Sequence, residues 1–306
     1  MFKKFVVNKD YHNSRFDRWF KQNISNVPQS LIEKIVRKKK IRINKKKIKT
    51  SYRVKLNDIV EYYTKEDLRP NDKSKKEKYK PSVKEKNQYE KFIIEDNDNF
   101  VVINKPSGIP VQSGTKSFKN IIDILKDTKH FEHTKPFIVH RLDKETSGVM
   151  IVAKNREYAQ LFTSLFRIRK IHKTYLAITH GKIKKDKKLL KDNLIIYEKN
   201  KKIVQKAISY LKVLKDNDEY SLLELKPITG RKHQLRKQLF NIGNPIVGDD
   251  KYSFSHIGKK SKEQKIMLHA YKIKFMINNI KYNFEANYGK EFEDFIKRKL
   301  KLLKNI

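Results

Sequence analysis

The sequence predicts an α+β fold: a large mixed, mainly antiparallel sheet with helices interspersed, preceded by a small domain of its own. Three observations predict it. At 306 residues the chain can bury a real core and exceeds the length of one typical domain. Between residues 65 and 90 both charge signs mix and aliphatic residues almost vanish, so that stretch cannot bury enough surface to fold alone. Beyond it, short β-branched-rich runs bounded by turn residues outnumber helical patterns and follow no βαβ rhythm. The boundaries implied are 14–64 for a first domain, 65–90 for a charged flexible linker and 91–306 for a second domain.

Residues 1 to 13 read as an extended arm. From Ser14, a candidate N-cap, the spacing of Phe16, Trp19 and Phe20 fits a short amphipathic helix. Pro28 suits the first turn of a second helix with Leu31, Ile32, Ile35 and Val36 on its apolar face. That helix ends in Arg37-Lys38-Lys39-Lys40, and Ile41-Arg42-Ile43 then alternates like a strand. Val54 and Leu56 precede an Asn57-Asp58 turn and a strand over 59–63.

In the second domain, residues 92–94 and 100–103 predict a hairpin, and Lys105-Pro106-Ser107-Gly108 predicts a tight turn. Helices are expected over 119–126 and 157–168, the latter with Leu161, Phe162, Leu165 and Phe166 inward. Strands follow over 172–179, 205–214 and 220–226, with Thr229-Gly230 breaking the last before a helix over 231–240. Further strands are expected over 267–270 and 273–276, and a basic amphipathic helix over 292–306.

Composition narrows the function. With no cysteine, disulfides and thiolate metal sites are excluded. No apolar run approaches the ~20 residues of a membrane span, and the first residues lack a secretory apolar stretch, so a soluble cytoplasmic protein is expected. The formal charge of +39 points to a polyanion, most often nucleic acid. A lysine-rich background from an AT-rich genome is the competing account. The arginines are more telling: only 13 of the 73 basic residues are Arg, and five of those fall in the first 53 positions.

Residues 137 to 154 organise the rest. Two β-branched-rich runs flank His140-Arg141-Leu142-Asp143-Lys144-Glu145-Thr146-Ser147-Gly148, which puts a carboxylate bracketed by cations on a loop between two strands. Asp143 is thus the first candidate for chemistry, with a turn-capping role as an equal rival on this window alone. Two distant segments join it: Lys173-Thr174-Tyr175 on an expected strand, and Gly230-Arg231-Lys232-His233-Gln234-Leu235-Arg236 at a strand-to-helix junction.

Together these three segments resemble, in order and spacing, the RluA-type pseudouridine synthases, and most closely the RluC type that acts on large-subunit ribosomal RNA. Asn104-Lys105-Pro106-Ser107-Gly108, Asn244-Pro245-Ile246-Val247-Gly248-Asp249 and Leu268-His269-Ala270 are secondary matches. Residues 14 to 64 resemble the S-four-type (alpha-L) RNA-binding module, on the segments that begin at Ser14, Val27 and Lys38. Departures are few: Lys232, Lys237-Gln238 and Gln112 replace commoner residues, none at an expected catalytic position.

The resemblance implies a pseudouridine synthase catalytic domain that isomerises specific uridines in RNA, breaking N1–C1′ and forming C5–C1′, with no cofactor and no nucleotide cofactor. It assigns catalysis to Asp143 as nucleophile, to Arg236 as its paired cation, and to Tyr175 as a stacking ring that assists proton removal at C5. Attack at C1′, addition at C6 and a glycal route stay open. Arg141 is placed to contact RNA or fill the stack that an extruded uridine vacates. His140, Arg231 and His233 are further RNA-contact candidates, with loop bracing as the alternative for the last two. In the first domain Arg15, Arg18, Arg37, Lys39, Lys40 and Arg42 are expected to grip phosphates without reading bases. The expected partner is large-subunit ribosomal RNA, free or in a pre-ribosomal particle, met by a monomer.

Two other classes compete. A ribosome-assembly factor that only binds RNA would not require the trio Asp143, Tyr175 and Arg236. A glycosidase normally wants a second carboxylate, and Glu145 is expected to face solvent. His130 and His133 lack the partners of a known metal set and are expected to be exposed loop residues, so no metal site is predicted.

Overall fold

The computed structural model describes residues 2–63, 79–113, 119–184, 188–198, 201–255 and 265–301. The chain divides into two compact units, residues 1–77 and 78–306.

The first unit is a three-stranded antiparallel sheet with two helices. Strands β1 (Phe2–Val6), β2 (Ile41–Ile43) and β3 (Ile59–Tyr63) are ordered β1-β3-β2, with helices α1 (Phe16–Asn23) and α2 (Gln29–Arg37) between β1 and β2 in sequence. The expected N-terminal arm is therefore a strand. It is drawn into the sheet because Val7 is fully buried and Phe5 meets Trp19 edge-on, centroids 6.2 Å apart. Trp19 also stacks on Phe16 at 6.0 Å, and both pack with Phe20, Ile32, Ile35 and Val60. Ser14 does not cap α1. Its hydroxyl donates to the Tyr11 carbonyl at 2.7 Å, and the cap position falls on Arg15 with no side-chain bond.

In the second unit the linker reading is corrected at its C-terminal end. Helix α3 (Val83–Glu90) opens on a capping box between Ser82 and Glu85 and buries Tyr89, 5.7 Å from the Phe92 ring. The part of the expected linker at 65–78 lies outside the described residues.

Ten strands form one sheet among the described residues. They are β4 (Ile93–Asp96), β5 (Phe100–Lys105), β6 (Phe137–Ile138), β7 (Ser147–Ala153), β8 (His172–His180), β9 (Leu189–Glu198), β10 (Lys201–Asp216), β11 (Tyr220–Pro227), β12 (Leu268–Ile277) and β13 (Ile280–Glu285). The order β4-β5-β7-β12-β8-β11-β10-β9 carries β6 on β7 and β13 on β12. Every pairing is antiparallel except β7 with β12. Helices α4 (Ile121–Lys126), α5 (Arg156–Arg167), α6 (Gln234–Asn241) and α7 (Lys290–Phe295) pack around it, the last running on as a π-helical turn over Ile296–Leu300.

Strand β7 is buried from Gly148 to Ala153, which explains why its sequence is a continuous apolar run rather than an alternation. The parallel contact explains its glycine. Gly148 has φ +114°, and a Cβ there would sit 2.2 Å from the Ala270 oxygen of β12. β12 runs unbroken where two strands were expected, with a bulge between Ala270 and Lys272 absorbing the irregularity. β9 and β13 have no counterpart among the expected strands, and α6 begins at Gln234 rather than 231. The closing helix starts at Lys290, and residues 302–306 of its expected span lie outside the described residues. Two apolar clusters flank the sheet, one around Phe100, Ile151 and Phe162 and one around Leu176, Leu223 and Leu239. Tyr175 packs against both. Among the described residues no helix is long and apolar enough to cross a membrane.

Candidate active site

Asp143 stands on the loop between β6 and β7, and that loop is braced from several sides. Lys105 is fully buried, and its ammonium donates to the carbonyls of Pro106 at 2.8 Å, Ile109 at 2.9 Å and Lys144 at 3.2 Å. Ser107 donates to the Glu145 carbonyl at 2.6 Å, and the Gly108 amide to that of Lys144 at 3.0 Å. The turn Lys105-Pro106-Ser107-Gly108 is thus the backstop of the Asp143 loop, a role that its sequence does not suggest. Burial pulls the Lys105 ammonium down to about 7, partly offset by the charges of Glu145 and Asp143.

Two histidines hold the same loop from below. His140 accepts the Ile151 amide on Nε2 at 2.9 Å and packs on Phe166, ring centroids 4.6 Å apart. Burial and the nearby Lys173 charge push His140 down to about 3, so it is neutral. His140 is half-buried and lines the cleft, and its Nε2 is engaged as a brace of the loop. His269 donates from Nε2 to the Ala286 carbonyl at 2.8 Å, which leaves Nδ1 to accept the Ser147 hydroxyl at 2.9 Å.

The Asp143 carboxylate is partly exposed and has two cationic or potentially cationic neighbours: His233 Nε2 at 3.8 Å and Arg236 Nη1 at 3.9 Å. The expected pairing of Arg236 with Asp143 needs refining. The tight partner of Arg236 is Asp249, which takes Nε and Nη2 at 2.6 Å each and is itself buried. One edge of the guanidinium fork is fixed, and the remaining nitrogen faces Asp143. Asp249 also accepts the backbone amides of Lys251 at 2.9 Å and Tyr252 at 3.0 Å. Gly248, with φ +77°, makes the turn that delivers it, and a Cβ there would lie 2.3 Å from the Lys265 oxygen. Asp249 lies inside a motif to which the sequence assigns no role. Its pairing is invisible there because the two residues sit on either side of a turn.

His233 holds a left-handed conformation (φ 53°) at the head of α6, and its Nδ1 meets the Tyr252 hydroxyl at 3.0 Å. Burial lowers its proton affinity, Asp143 raises it, and the cations around it lower it again. Gln234 is buried and ties the turn together: its oxygen accepts from the Thr229 hydroxyl at 2.7 Å and the Arg231 amide at 3.0 Å. Arg231 is exposed, with Nε donating to the Lys206 carbonyl at 3.3 Å. Tyr175 reaches the site from β8, and burial and then the Asp143 charge raise its phenol above the ordinary range.

Asp143, Tyr175, His233, Gln234 and Arg236 line one cleft of about 750 Å³, in which Asp143 is the one carboxylate among the described lining residues. Arg141, Arg167, Arg169, Arg231 and Lys232 stand exposed on its rim, and Lys173 lies deeper. A second cleft, about 770 Å³ and lined by Lys188 just ahead of β9 and by Lys212, Lys215, Asp216, Glu224 and Lys226 on β10 and β11, contains no comparable set facing a single carboxylate among the described residues. Glu145 is not among the lining residues, which removes the second acid that a glycosidase requires. His130 differs from expectation: only 10% of its side chain is exposed, and it bonds Asp96 at 2.6 Å. His133 is exposed as expected.

In the first unit Arg18, Arg37, Lys39 and Arg42 are exposed, and Arg42 lies over the Tyr63 ring at 5.9 Å. Lys40 is half-buried. Arg15 is already engaged by Asp17, at 2.6 Å through Nη2.

A carboxylate on a braced loop, faced by a clamped arginine and a half-buried tyrosine within a large mixed sheet, defines an RNA pseudouridine synthase once the relatives are set beside it. The RNA pseudouridylate synthase family matches residues 99–241, and the S4 domain family matches residues 26–60. Ribosomal large subunit pseudouridine synthase C of Buchnera aphidicola subsp. Schizaphis graminum is 33% identical over 88% of each chain. The protein of the same name from Rickettsia felis is 36% identical over 91% of each. The solved structure of human RNA pseudouridylate synthase domain containing 4 superposes with a TM-score of 0.59 at 27% identity, covering 70% of this chain and 94% of that one. The chain belongs to the RNA pseudouridine synthase family, with an S4 domain ahead of the catalytic domain.

Proposed function

We propose that this protein isomerises specific uridines of large-subunit ribosomal RNA to pseudouridine, with Asp143 as the nucleophile. The observation that carries the reading is a carboxylate, the single one among the described residues of a basic cleft, held on a braced loop and faced by Arg236, itself fixed by Asp249. The net charge of +39 and the names of the relatives supply the substrate class.

The chemistry follows from the groups present. The isomerisation moves the base from an N–C to a C–C glycosidic bond within one nucleotide, with no net redox change and no hydrolysis. It needs a carboxylate kept ionised and aimed, which an adjacent guanidinium supplies. It then needs removal of the C5 proton once the new bond has formed. Tyr175 is a poor base while Asp143 is anionic, since that charge helps keep the phenol protonated. Covalent capture of Asp143 by the nucleotide removes that charge, so the phenol ionises more readily after attack than before it: it gives its proton to N1 of the released uracil anion, and the phenolate then takes the C5 proton. Catalysis and deprotonation are thereby ordered in time. A uridine inside folded RNA is first extruded, at a cost of a few kcal/mol, and Arg141 on the rim fills the vacated stack. The protein works as a cytoplasmic monomer on free ribosomal RNA or a pre-ribosomal particle.

The test is to incubate the protein with a large-subunit ribosomal RNA transcript and map pseudouridines. Wild type gains them at discrete positions, while Asp143→Asn loses roughly 10⁴-fold or more in rate with RNA affinity retained. Binding without any new pseudouridine would favour an assembly factor instead.

A further inference from the structure

Three cations serve the cleft, and the two that are buried, Lys105 and Arg236, are partnered. Lys105 gives its ammonium to three carbonyls, and Arg236 gives two nitrogens to Asp249. Lys173 has neither kind of partner. Among the described residues its ammonium makes no ion pair and no hydrogen bond, and burial lowers its proton affinity with no counter-charge to offset it. It stands on β8 two residues from Tyr175, hence on the same face of the strand, and both line the cleft.

An unpaired ammonium that is half-buried, as Lys173 is, loses hydration without gaining a partner, and such a group persists where a ligand supplies the missing charge. We propose that Lys173 is a phosphate-binding residue, receiving the phosphodiester next to the extruded uridine. The proposal rests on the RNA-modifying reading above. Uracil and ribose are neutral on arrival, so a phosphodiester is the anion that the target nucleotide brings. The exposed cations on the rim are placed for flanking RNA, whereas Lys173 is at the depth of Tyr175. Gly230 fits the same account. Its φ is not in the left-handed region, so the backbone does not demand glycine, and a Cβ there would lie 3.8 Å from Lys173 Nζ. A glycine at that point leaves the approach to the ammonium uncovered.

The experiment compares wild type with Lys173→Met in three measurements. The first is thermal unfolding. A binding role predicts that Lys173→Met melts at the same temperature or higher, since an unpaired cation is replaced by an apolar chain, and a lower melting temperature would assign the residue to structure. The second is titration with uridine 5′-monophosphate, uridine 3′-monophosphate and uridine. Wild type should prefer one monophosphate over uridine by about tenfold, a preference lost in Lys173→Met; no preference in wild type overturns the proposal. The third is single turnover on an RNA stem-loop carrying a mapped uridine, with a methylphosphonate placed 5′ or 3′ of it. At one of the two positions the neutral linkage should slow wild type by 10- to 100-fold and leave Lys173→Met unaffected. Independent, multiplying effects would assign Lys173 to the base and sink the phosphate site. If wild type modifies no uridine, the proposed function fails, while the mononucleotide titration still decides the subsite.

Discussion

The two units carry positive charge in opposite ways. In the first, Arg18, Arg37, Lys39 and Arg42 stand exposed around an aromatic core of Phe16, Trp19 and Phe20. In the second, the cations that matter lie inside: Lys105 beneath the Asp143 loop, Arg236 clamped by Asp249, Lys173 open to the cleft. Exposed charges in water attract phosphates over a Debye length, tolerate small displacements and weaken with salt. Buried charges act at fixed distances, are costly to hold and are little screened. The first arrangement suits holding RNA of any sequence and the second suits acting on one nucleotide. The comparison can be broken by loosening a cation inside the cleft or sharpened by probing the units separately.

The largest effect is expected at Asp249. Asp249→Asn keeps the shape but removes the charge that fixes two nitrogens of Arg236. Breaking a buried pair costs about 3–5 kcal/mol, read from the shift of the urea midpoint. A loosened guanidinium that no longer faces Asp143 should also lower the single-turnover rate by roughly 100-fold with RNA affinity unchanged. Wild-type rate in a folded Asp249→Asn protein would mean that Arg236 needs no clamp, and the contrast between held and free cations would lose its basis.

Much of this architecture is legible in the amino-acid sequence, and what is not has physical reasons. The apolar runs of β5, β7 and β8 read plainly because those strands are buried. β9 lies on a sheet edge with Lys191, Asp192 and Asn193 interrupting its apolar residues, and β13 has four of its six positions exposed, so neither presents a continuous apolar run. The N-terminal strand is too short and too basic to read. Asp143, Tyr175 and Arg236 stand out through their motifs, and the cleft does gather them. Lys105 and Asp249 sit in motifs without evident roles, because their work is done through carbonyls and a guanidinium that only the fold brings near. The brace that His140 makes to the Ile151 amide is likewise not legible, because the two residues meet only across the folded loop.

Acid should separate the two units. His269 is 1% exposed and is held down to about 4, and the less enclosed His140 to about 3. Both are neutral in the folded chain and would gain a proton below about 6.5 when unfolded. The unfolded state therefore binds more protons between about 6.5 and about 4, and stability falls as pH falls through that window. For His269 the loss from pH 7 to pH 5 is about 2 kcal/mol. The first unit contains only His12, which is exposed. Trp19 is the only tryptophan and lies in the first unit, so its fluorescence reports that unit alone. Between pH 7 and pH 5 the urea midpoint by Trp19 fluorescence should hold steady while the midpoint by circular dichroism moves down. His269→Gln, which can still accept and donate, should flatten the second curve. Parallel movement of both midpoints would show that the units unfold as one.

The smallest effects belong to the outer cations, and there the useful contrast is between two arginines of the same unit. Arg37 is exposed at the end of α2, whereas Arg15 already gives its guanidinium to Asp17, which also accepts from Gln29 at 3.0 Å. A side chain that neutralises a phosphate releases counterions, and its loss lowers the slope of log affinity against log salt by about 0.7–0.9. Arg37→Gln should reduce the slope by that amount for a large-subunit ribosomal RNA fragment, and the Arg37→Gln, Arg42→Gln pair by about twice as much. Arg15→Gln should leave the slope nearly unchanged, because its charge is already satisfied within the protein. The modification rate at saturating RNA should move with none of them. Equal slopes for Arg15→Gln and Arg37→Gln would mean that RNA pulls Arg15 away from Asp17, and exposure alone would no longer identify the cations that hold the substrate.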